Sequence, residues 1–125
     1  MQKYLAIAFG GALGSMARYW VGANISGRMG TRFPYGTLIV NITACIILGF
    51  SLTLLGKRAE FNPEWRFLIA VGFIGAYSTF STFEWETFST LRSGAFFMAA
   101  VYAIGSLILG LAATWGGAIL ADLLP

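Results

Sequence analysis

Uncharged stretches dominate the chain, and the charged residues stand between them. Four stretches carry no Asp, Glu, Lys or Arg: Tyr4–Ala17, Phe33–Gly56, Phe67–Phe83 and Ser93–Ala121. Two of them, of 24 and 29 residues, exceed the length of about 20 apolar residues that a helix needs to cross the hydrocarbon core of a bilayer. The pattern therefore predicts membrane-spanning helices.

The two shorter stretches reach spanning length only if they continue across charged residues. The first extends to about Ala23 if Arg18 is tolerated, and the third extends toward Leu91 across Glu84 and Glu86. We therefore predict an all-α integral membrane protein with four transmembrane helices. The helices lie near residues 4–24, 36–56, 66–92 and 96–122, and they form a single domain, 1–125, that leaves no segment for a soluble domain.

Composition excludes several classes of function. Hydrophobic residues make up 58% of the chain and charged residues 10%, whereas an ordinary soluble domain carries roughly 25% charge. The chain has no histidine and a single cysteine, Cys45, which excludes histidine metal sites and an internal disulfide. A net charge of +3 is too dilute for nucleic-acid binding. No nucleophile–base pair is visible, so we expect no enzyme activity.

Positive charges are balanced between the two sides of the predicted bundle. Each side carries four Lys or Arg residues: Lys3, Lys57, Arg58 and Arg66 on one, and Arg18, Arg28, Arg32 and Arg92 on the other. Because an excess of Lys and Arg in the cytoplasmic loops sets orientation, a balanced count predicts that both orientations are populated. Such dual topology allows an antiparallel homodimer to assemble. The alternative is that one charge is miscounted, since Arg18 sits near a helix end.

Small and polar residues recur at every fourth position of three predicted helices, which places each set on one helical face. The sets are Gly10, Gly14, Arg18, Gly22 and Ser26; Thr37, Asn41, Cys45, Gly49 and Thr53; and Tyr102, Ser106, Gly110 and Thr114. The glycines alone are explained by close helix packing. The carboxamide and hydroxyl groups indicate a bundle interior or a water-filled path.

The centre of the third helix is its most unusual part. It reads Gly75-Ala76-Tyr77 and then the run S-T-F-S-T-F over Ser78–Phe83. Either the helix breaks here and lines a cavity or an ion site, or it is continuous and its hydroxyls bond back to the preceding turn. Phe80 and Phe83 are near neighbours on either interpretation, and alone they indicate no more than packing.

The motif G-T-L-I-V-N over Gly36–Asn41, with Gly75 and the S-T-F-S-T-F run, resembles the Fluc (CrcB-like) fluoride channel family. The resemblance covers essentially the whole chain. It implies a fluoride-selective passive channel in the bacterial inner membrane, built as an antiparallel dual-topology homodimer with two pores that both subunits form. It also implies a broken third helix and a Na⁺ ion at the dimer centre.

The resemblance also implies roles for individual residues. The pore phenylalanines match Phe80 and Phe83, the pore asparagine matches Asn41, and the carbonyls that hold Na⁺ match those of Gly75 and Ser78. The remaining matches are the hydroxyl track of helix four and a glutamate that follows the phenylalanines: Tyr102, Ser106, Thr114 and Glu86.

The chain departs from the family pattern at three places. Gly110 stands where the hydroxyl track often has a serine, Ala76-Tyr77 replaces a more glycine-rich pair, and Glu84 adds a second acid. Arg18 either adds positive potential near a pore mouth or is a snorkelling side chain.

The chemistry of fluoride agrees with this assignment. Fluoride is costly to dehydrate, so a pore must replace its water with donors such as the Asn41 amide and hydroxyl groups. The positive ring edges of the two phenylalanines can also face an anion, and an inside-negative potential drives anions outward. Two alternatives remain: a small multidrug-resistance-type proton-coupled exporter, which calls for a membrane-embedded carboxylate, and a structural subunit with no transport role.

Overall fold

The protein is represented by a computed structural model that describes residues 2–57 and 62–124, and most of these residues are helical. These ranges contain no strand, which confirms the prediction of an all-α fold. The elements in chain order are α1 (Gln2–Met29), α2 (Tyr35–Lys57), α3 (Glu64–Arg66), a π-helical segment (Phe67–Ile74), α4 (Gly75–Tyr77), α5 (Phe80–Arg92) and α6 (Phe96–Asp122).

Three helical stretches among the described residues are long and apolar enough to cross a membrane. They are α2, the succession of α3 to α5 over Glu64–Arg92, and α6. Most of their surface carries exposed apolar side chains, such as Phe97 and Leu107 of α6, as expected of helices that face lipid. The chain is therefore a multi-pass membrane protein. Helix α1 has 28 residues but is less apolar, and its role as a fourth span stays a prediction.

The helices associate as two close pairs, and glycine permits both. Helix α2 packs on α6 so closely that a Cβ atom on Gly49 would overlap the Thr114 carbonyl, and one on Gly117 would overlap the Ile46 carbonyl. Helix α1 packs in the same way on the π-helical segment through Gly10 and Gly14. Backbone contact of this kind is typical of membrane helices, where small residues replace the hydrophobic effect as the basis of packing.

The two pairs meet at a small buried core. Val40 and Ala44 of α2 lie there against Ile74 and Tyr77, and all four are buried. At the far end of the bundle, the Lys57 ammonium group lies 2.6 Å from an Asp122 carboxylate oxygen and joins the ends of α2 and α6. These contacts fix the positions from which α2, α5 and α6 project their polar residues.

The first turn begins later than the sequence suggests. Helix α1 continues through Gly27 and ends at Met29, and Gly30 follows with a φ of +83°. The positive φ is accessible to glycine without strain, so the helix ends where the left-handed conformation is needed. Gly94 ends α5 in the same way, with a φ of +82°.

Candidate functional site

The helical stretch that carries the phenylalanines is interrupted by two extended residues. Ser78 has φ −73° and ψ 158°, and Thr79 has φ −148° and ψ 115°, between α4 and α5. The Ser78 hydroxyl still donates to the Ile74 carbonyl at 3.0 Å, as a hydroxyl bonded back to its own helix would. The interruption frees backbone groups that a continuous helix would pair, and each of them needs another partner in a bilayer.

Asn41 supplies that partner to Thr79. The Asn41 Oδ1 atom accepts from the Thr79 amide at 2.8 Å, and Nδ2 donates to the Thr79 carbonyl at 3.0 Å. The Thr79 side chain in turn caps α5, because its Oγ1 accepts from the Thr82 amide and donates to Thr82 Oγ1. The Asn41 amide group keeps one N–H bond for another acceptor, since a primary amide has two.

The two hydrogen bonds from Asn41 form a clamp on Thr79. Backbone carbonyls that precede this clamp in the chain have no such partner. In a continuous helix the Gly75 carbonyl would accept from the Thr79 amide, which here donates to Asn41. Among the turn, loop, cap and side-chain hydrogen bonds of residues 2–57 and 62–124, none ends on the carbonyl of Gly75 or of Ser78. Unpaired carbonyl oxygens are suitable ligands for a hard cation, so the donor set fits the expected Na⁺ ion. The described part of the chain holds no cluster of three acidic, His or Cys side chains that would form a different kind of metal site.

Glu86 of α5 joins three helices through its two carboxylate oxygens. Thr37 Oγ1 of α2 donates to Oε1 at 2.8 Å, and the Tyr102 hydroxyl of α6 donates to Oε2 at 2.6 Å. Tyr102 is only 1% exposed. Hydrogen bonds to an ionised carboxylate are roughly twice as strong as neutral ones, so this group holds the phenylalanine helix against its neighbours.

The two phenylalanines face different surroundings. The Phe83 ring lies 5.1 Å from the Tyr102 ring, with an angle of 54° between them, and is half-buried beside the Glu86 group. The Phe80 ring lies 5.9 Å from that of Phe83 but is 74% exposed. One chain therefore encloses Phe83 and leaves Phe80 on its surface.

The predicted hydroxyl track of α6 is only partly free within one chain. Thr114 Oγ1 donates to the Gly110 carbonyl of its own helix at 3.0 Å, whereas Ser106 Oγ is buried with no hydrogen-bond partner among the described residues. Between them, the Cys45 sulfur of α2 lies 3.5 Å from the position that a Cβ atom on Gly110 would take. The polar faces of α2 and α6 thus meet each other, and the Cys45 thiol lies beside Gly110, where the family pattern often has a serine.

Arg18 lines a cavity of about 390 Å³ between α1 and α2. Of the described residues that form the cavity wall, Arg18 is the one with a charge. The wall also carries hydroxyl groups of Ser15, Ser26, Thr37, Thr79 and Thr82. No described carboxylate forms an ion pair with Arg18. A guanidinium without a carboxylate partner attracts anions into a confined space, and the cavity reaches the Thr79 residue that Asn41 holds.

The structure thus brings together Asn41, Phe83, Glu86, Tyr102 and the interruption at Ser78. Thr37 and Thr79 join them, although sequence reasoning assigned neither a role at the site. Thr37 belongs to the same four-residue repeat as Asn41, and Thr79 to the S-T-F-S-T-F run, so both signals were present. Their partners lie 49 and 38 positions away in the chain.

Comparisons with known proteins agree with the resemblance seen in the motifs. A family profile described as "CrcB-like protein, Camphor Resistance (CrcB)" matches residues 5–118. The chain is 50% identical over 119 residues to the "Fluoride-specific ion channel FluC" of Solibacter usitatus, which covers 95% of this chain and 98% of the relative. It is 49% identical over 120 residues to the protein of that name from Acidobacterium capsulatum, with 96% of each chain covered. A third relative of the same name, from Thermus thermophilus, is 42% identical over 111 residues, which covers 89% of this chain and 88% of the relative.

Proposed function

Because the chain belongs to the CrcB-like family, we propose that it is a fluoride-specific ion channel. The resemblance inferred from the motifs is confirmed at the level of the family. The names of the relatives are those of ion channels, and they give no support to a proton-coupled exporter. Fluoride is the transported ion in this proposal, and conduction is passive and outward, protecting the cell against fluoride toxicity.

The observation that carries the proposal is that free neutral hydrogen-bond donors lie on helices that are otherwise apolar. The Asn41 amide keeps one N–H, and the Ser106 hydroxyl is buried with no partner among the described residues. The Phe83 and Tyr102 rings lie 5.1 Å apart. Neutral donors replace the hydration of an anion without trapping it, and conduction requires binding that is weak enough to release. The C–H edges of the phenyl rings add a positive electrostatic face.

The proposal includes an antiparallel homodimer in which each pore uses both subunits. The exposed ring of Phe80 and the Arg18 cavity support it, because one chain leaves both of these candidate site features uncovered. A partner chain on this face would cover Phe80. The balanced count of four positive charges on each side supports the opposite insertion of the two copies.

Sodium completes the proposed assembly as a structural ion. The carbonyls of Gly75 and Ser78 would hold it, since they lack donors among the described residues. A bound cation supplies fixed positive charge that favours a passing anion. The chain's own contribution is to expose these carbonyls, which it does by directing the Thr79 amide to Asn41.

Ion efflux from liposomes tests the proposed function. Purified protein should release fluoride and largely retain chloride, with no ATP and no proton gradient. Empty liposomes and liposomes with heat-denatured protein are the controls. Chloride release as fast as fluoride release would contradict the proposal, and so would fluoride release that requires a proton gradient.

A further inference from the structure

A second cavity lies on the other side of the Glu86 group and has no role in the function proposed above. It encloses about 280 Å³ between the loop that follows α1 and helix α5. Its wall is more polar than that of the Arg18 cavity and includes Arg32, Ser89 and Thr90. We call the 280 Å³ space the outer cavity and the 390 Å³ space beside Arg18 the inner cavity.

The two cavities adjoin each other at two points. Ser26 contributes to the walls of both. Thr37 lines the inner cavity and Glu86 the outer one, and the 2.8 Å hydrogen bond between their side chains spans the boundary. Ser26 and the Thr37–Glu86 hydrogen bond are therefore the contacts at which the two cavities meet.

Charge decides what the outer cavity can receive. Among the described residues, the charged members of its wall are Arg32 and Glu86, and no ion pair within 4.0 Å joins them. With both present the formal charge of the wall is zero, and Glu86 is already engaged by two donors. Without Arg32 the wall would carry the carboxylate alone, which would repel an anion.

From this arrangement we infer that the outer cavity is an entrance chamber for fluoride and that Arg32 is its anion-recruiting residue. Fluoride collects beside Arg32, passes Ser26 and reaches the inner cavity, where Arg18 is the next positive charge. The inference rests on the proposed channel function and adds to it a route and an anion-recruiting residue. Gly36 leaves room for the Ser26 hydroxyl at the boundary, because a Cβ atom on Gly36 would lie only 2.6 Å from Ser26 Oγ.

Arg28 provides a matched control. It lies four residues before Arg32, on the same side of the predicted bundle, and lines neither cavity. Arg28→Gln and Arg32→Gln each remove one positive charge from the same side, so any effect on membrane orientation is equal in the two variants. A difference between them reports on the outer cavity alone.

The experiment measures fluoride efflux at two ionic strengths, about 0.01 M and about 1 M, set on both sides by a large organic sulfonate. These conditions give Debye lengths of about 30 Å and about 3 Å. At low ionic strength Arg32→Gln should lower efflux about threefold, the factor expected when one unit charge roughly 7 Å from the ion is removed in a water-like dielectric. At high ionic strength the loss should nearly vanish. Arg32→Lys should behave like the parent, and so should Arg28→Gln.

Each other outcome has a definite meaning. Equal losses in Arg32→Gln and Arg28→Gln, no loss in Arg32→Gln, or a loss that is the same at both ionic strengths would overturn the recruiting role. Ser26→Ala should lower efflux at both ionic strengths, because an uncharged group is not screened; unchanged efflux would overturn the route. If the parent protein releases no fluoride at all, the proposed function fails, and not only this inference.

Discussion

Replacing Asn41 by leucine gives the sharpest test of how the interrupted helix is held. Leucine has a similar size but can neither accept from the Thr79 amide nor donate to its carbonyl. Both Thr79 backbone groups, which now bond to Asn41 at 2.8 and 3.0 Å, would lose their partner. Thr79 is 8% exposed, so water cannot readily replace the lost hydrogen bonds.

The magnitude follows from the number of groups left unpaired. A buried donor or acceptor without a partner costs about 1–3 kcal/mol. Two such groups therefore lower the unfolding free energy by about 2–6 kcal/mol. The cap of α5 depends on the position of Thr79, because its Oγ1 accepts from the Thr82 amide, and its loss adds to the upper end of this range.

Unfolding in detergent micelles, titrated with a denaturing detergent, measures the change. Asn24→Leu is the control, because the Asn24 side chain donates only to the Trp20 carbonyl of its own helix and is exposed. We expect the control to change stability by less than about 0.5 kcal/mol. Asn41→Asp keeps an acceptor for the Thr79 amide but sets a second oxygen against the Thr79 carbonyl, so its stability should lie between those of the parent and Asn41→Leu.

Fluoride efflux separates the structural role of Asn41 from its proposed role in the pore. Asn41→Asp should abolish efflux even under conditions where the protein stays folded, because a carboxylate in the path repels the anion. An Asn41→Leu variant as stable as the parent would refute the reasoning about the clamp. Asn41→Asp with undiminished efflux would remove Asn41 from the pore.

Three further predictions concern the rings, the helix packing and the topology. Phe80→Leu and Phe83→Leu keep apolar bulk but remove the positive ring edge. Each variant should therefore lower fluoride efflux about tenfold or more, while size-exclusion chromatography shows an intact dimer. Efflux equal to that of the parent would mean that the rings serve packing only. Gly117→Ala should destabilise the protein by more than about 1 kcal/mol in detergent unfolding, because its Cβ atom would overlap a carbonyl of α2. In the control Gly116→Ala, the new Cβ atom meets nothing within 4 Å, so stability should be unchanged or higher. Equal effects of the two variants would contradict the packing argument. Adding two or three lysines between α2 and α3 should fix one orientation and lower efflux, and mixing with an oppositely biased variant should restore it; full efflux from copies in one orientation, established with terminal reporters, would contradict the antiparallel dimer.

Several features of the candidate site were accessible from the sequence, but their contacts were not. Asn41 stands out as a carboxamide in a 24-residue uncharged stretch, and the family motif places it in a pore. Its hydrogen-bond partner could not be predicted from the sequence, because the backbone groups of Thr79 are available only when the helix is interrupted at that residue. The family resemblance also assigns Glu86 to the site, but only the packing of α5 against α2 and α6 makes it the centre of a hydrogen-bonded group.

Local pattern by itself determines that this chain is a helical membrane protein of the CrcB-like family. Hydropathy, charge spacing and short motifs are properties of neighbouring residues, and in a bilayer they constrain the backbone strongly because each peptide group must be hydrogen-bonded within the protein. Length and apolarity therefore suffice to predict helices such as α2 and α6.

Only the tertiary structure decides which polar groups meet. Thr37 and Glu86 are 49 positions apart, and nothing in the sequence between them specifies that α2 lies against α5. Close backbone packing fixes the register of each helix pair. It occurs at Gly49 and Gly117 between α2 and α6, and at Gly10 and Gly14 between α1 and the π-helical segment. Side-chain contacts across those pairs follow from the register, which is why the clamp on Thr79 and the two adjoining cavities become visible only in three dimensions.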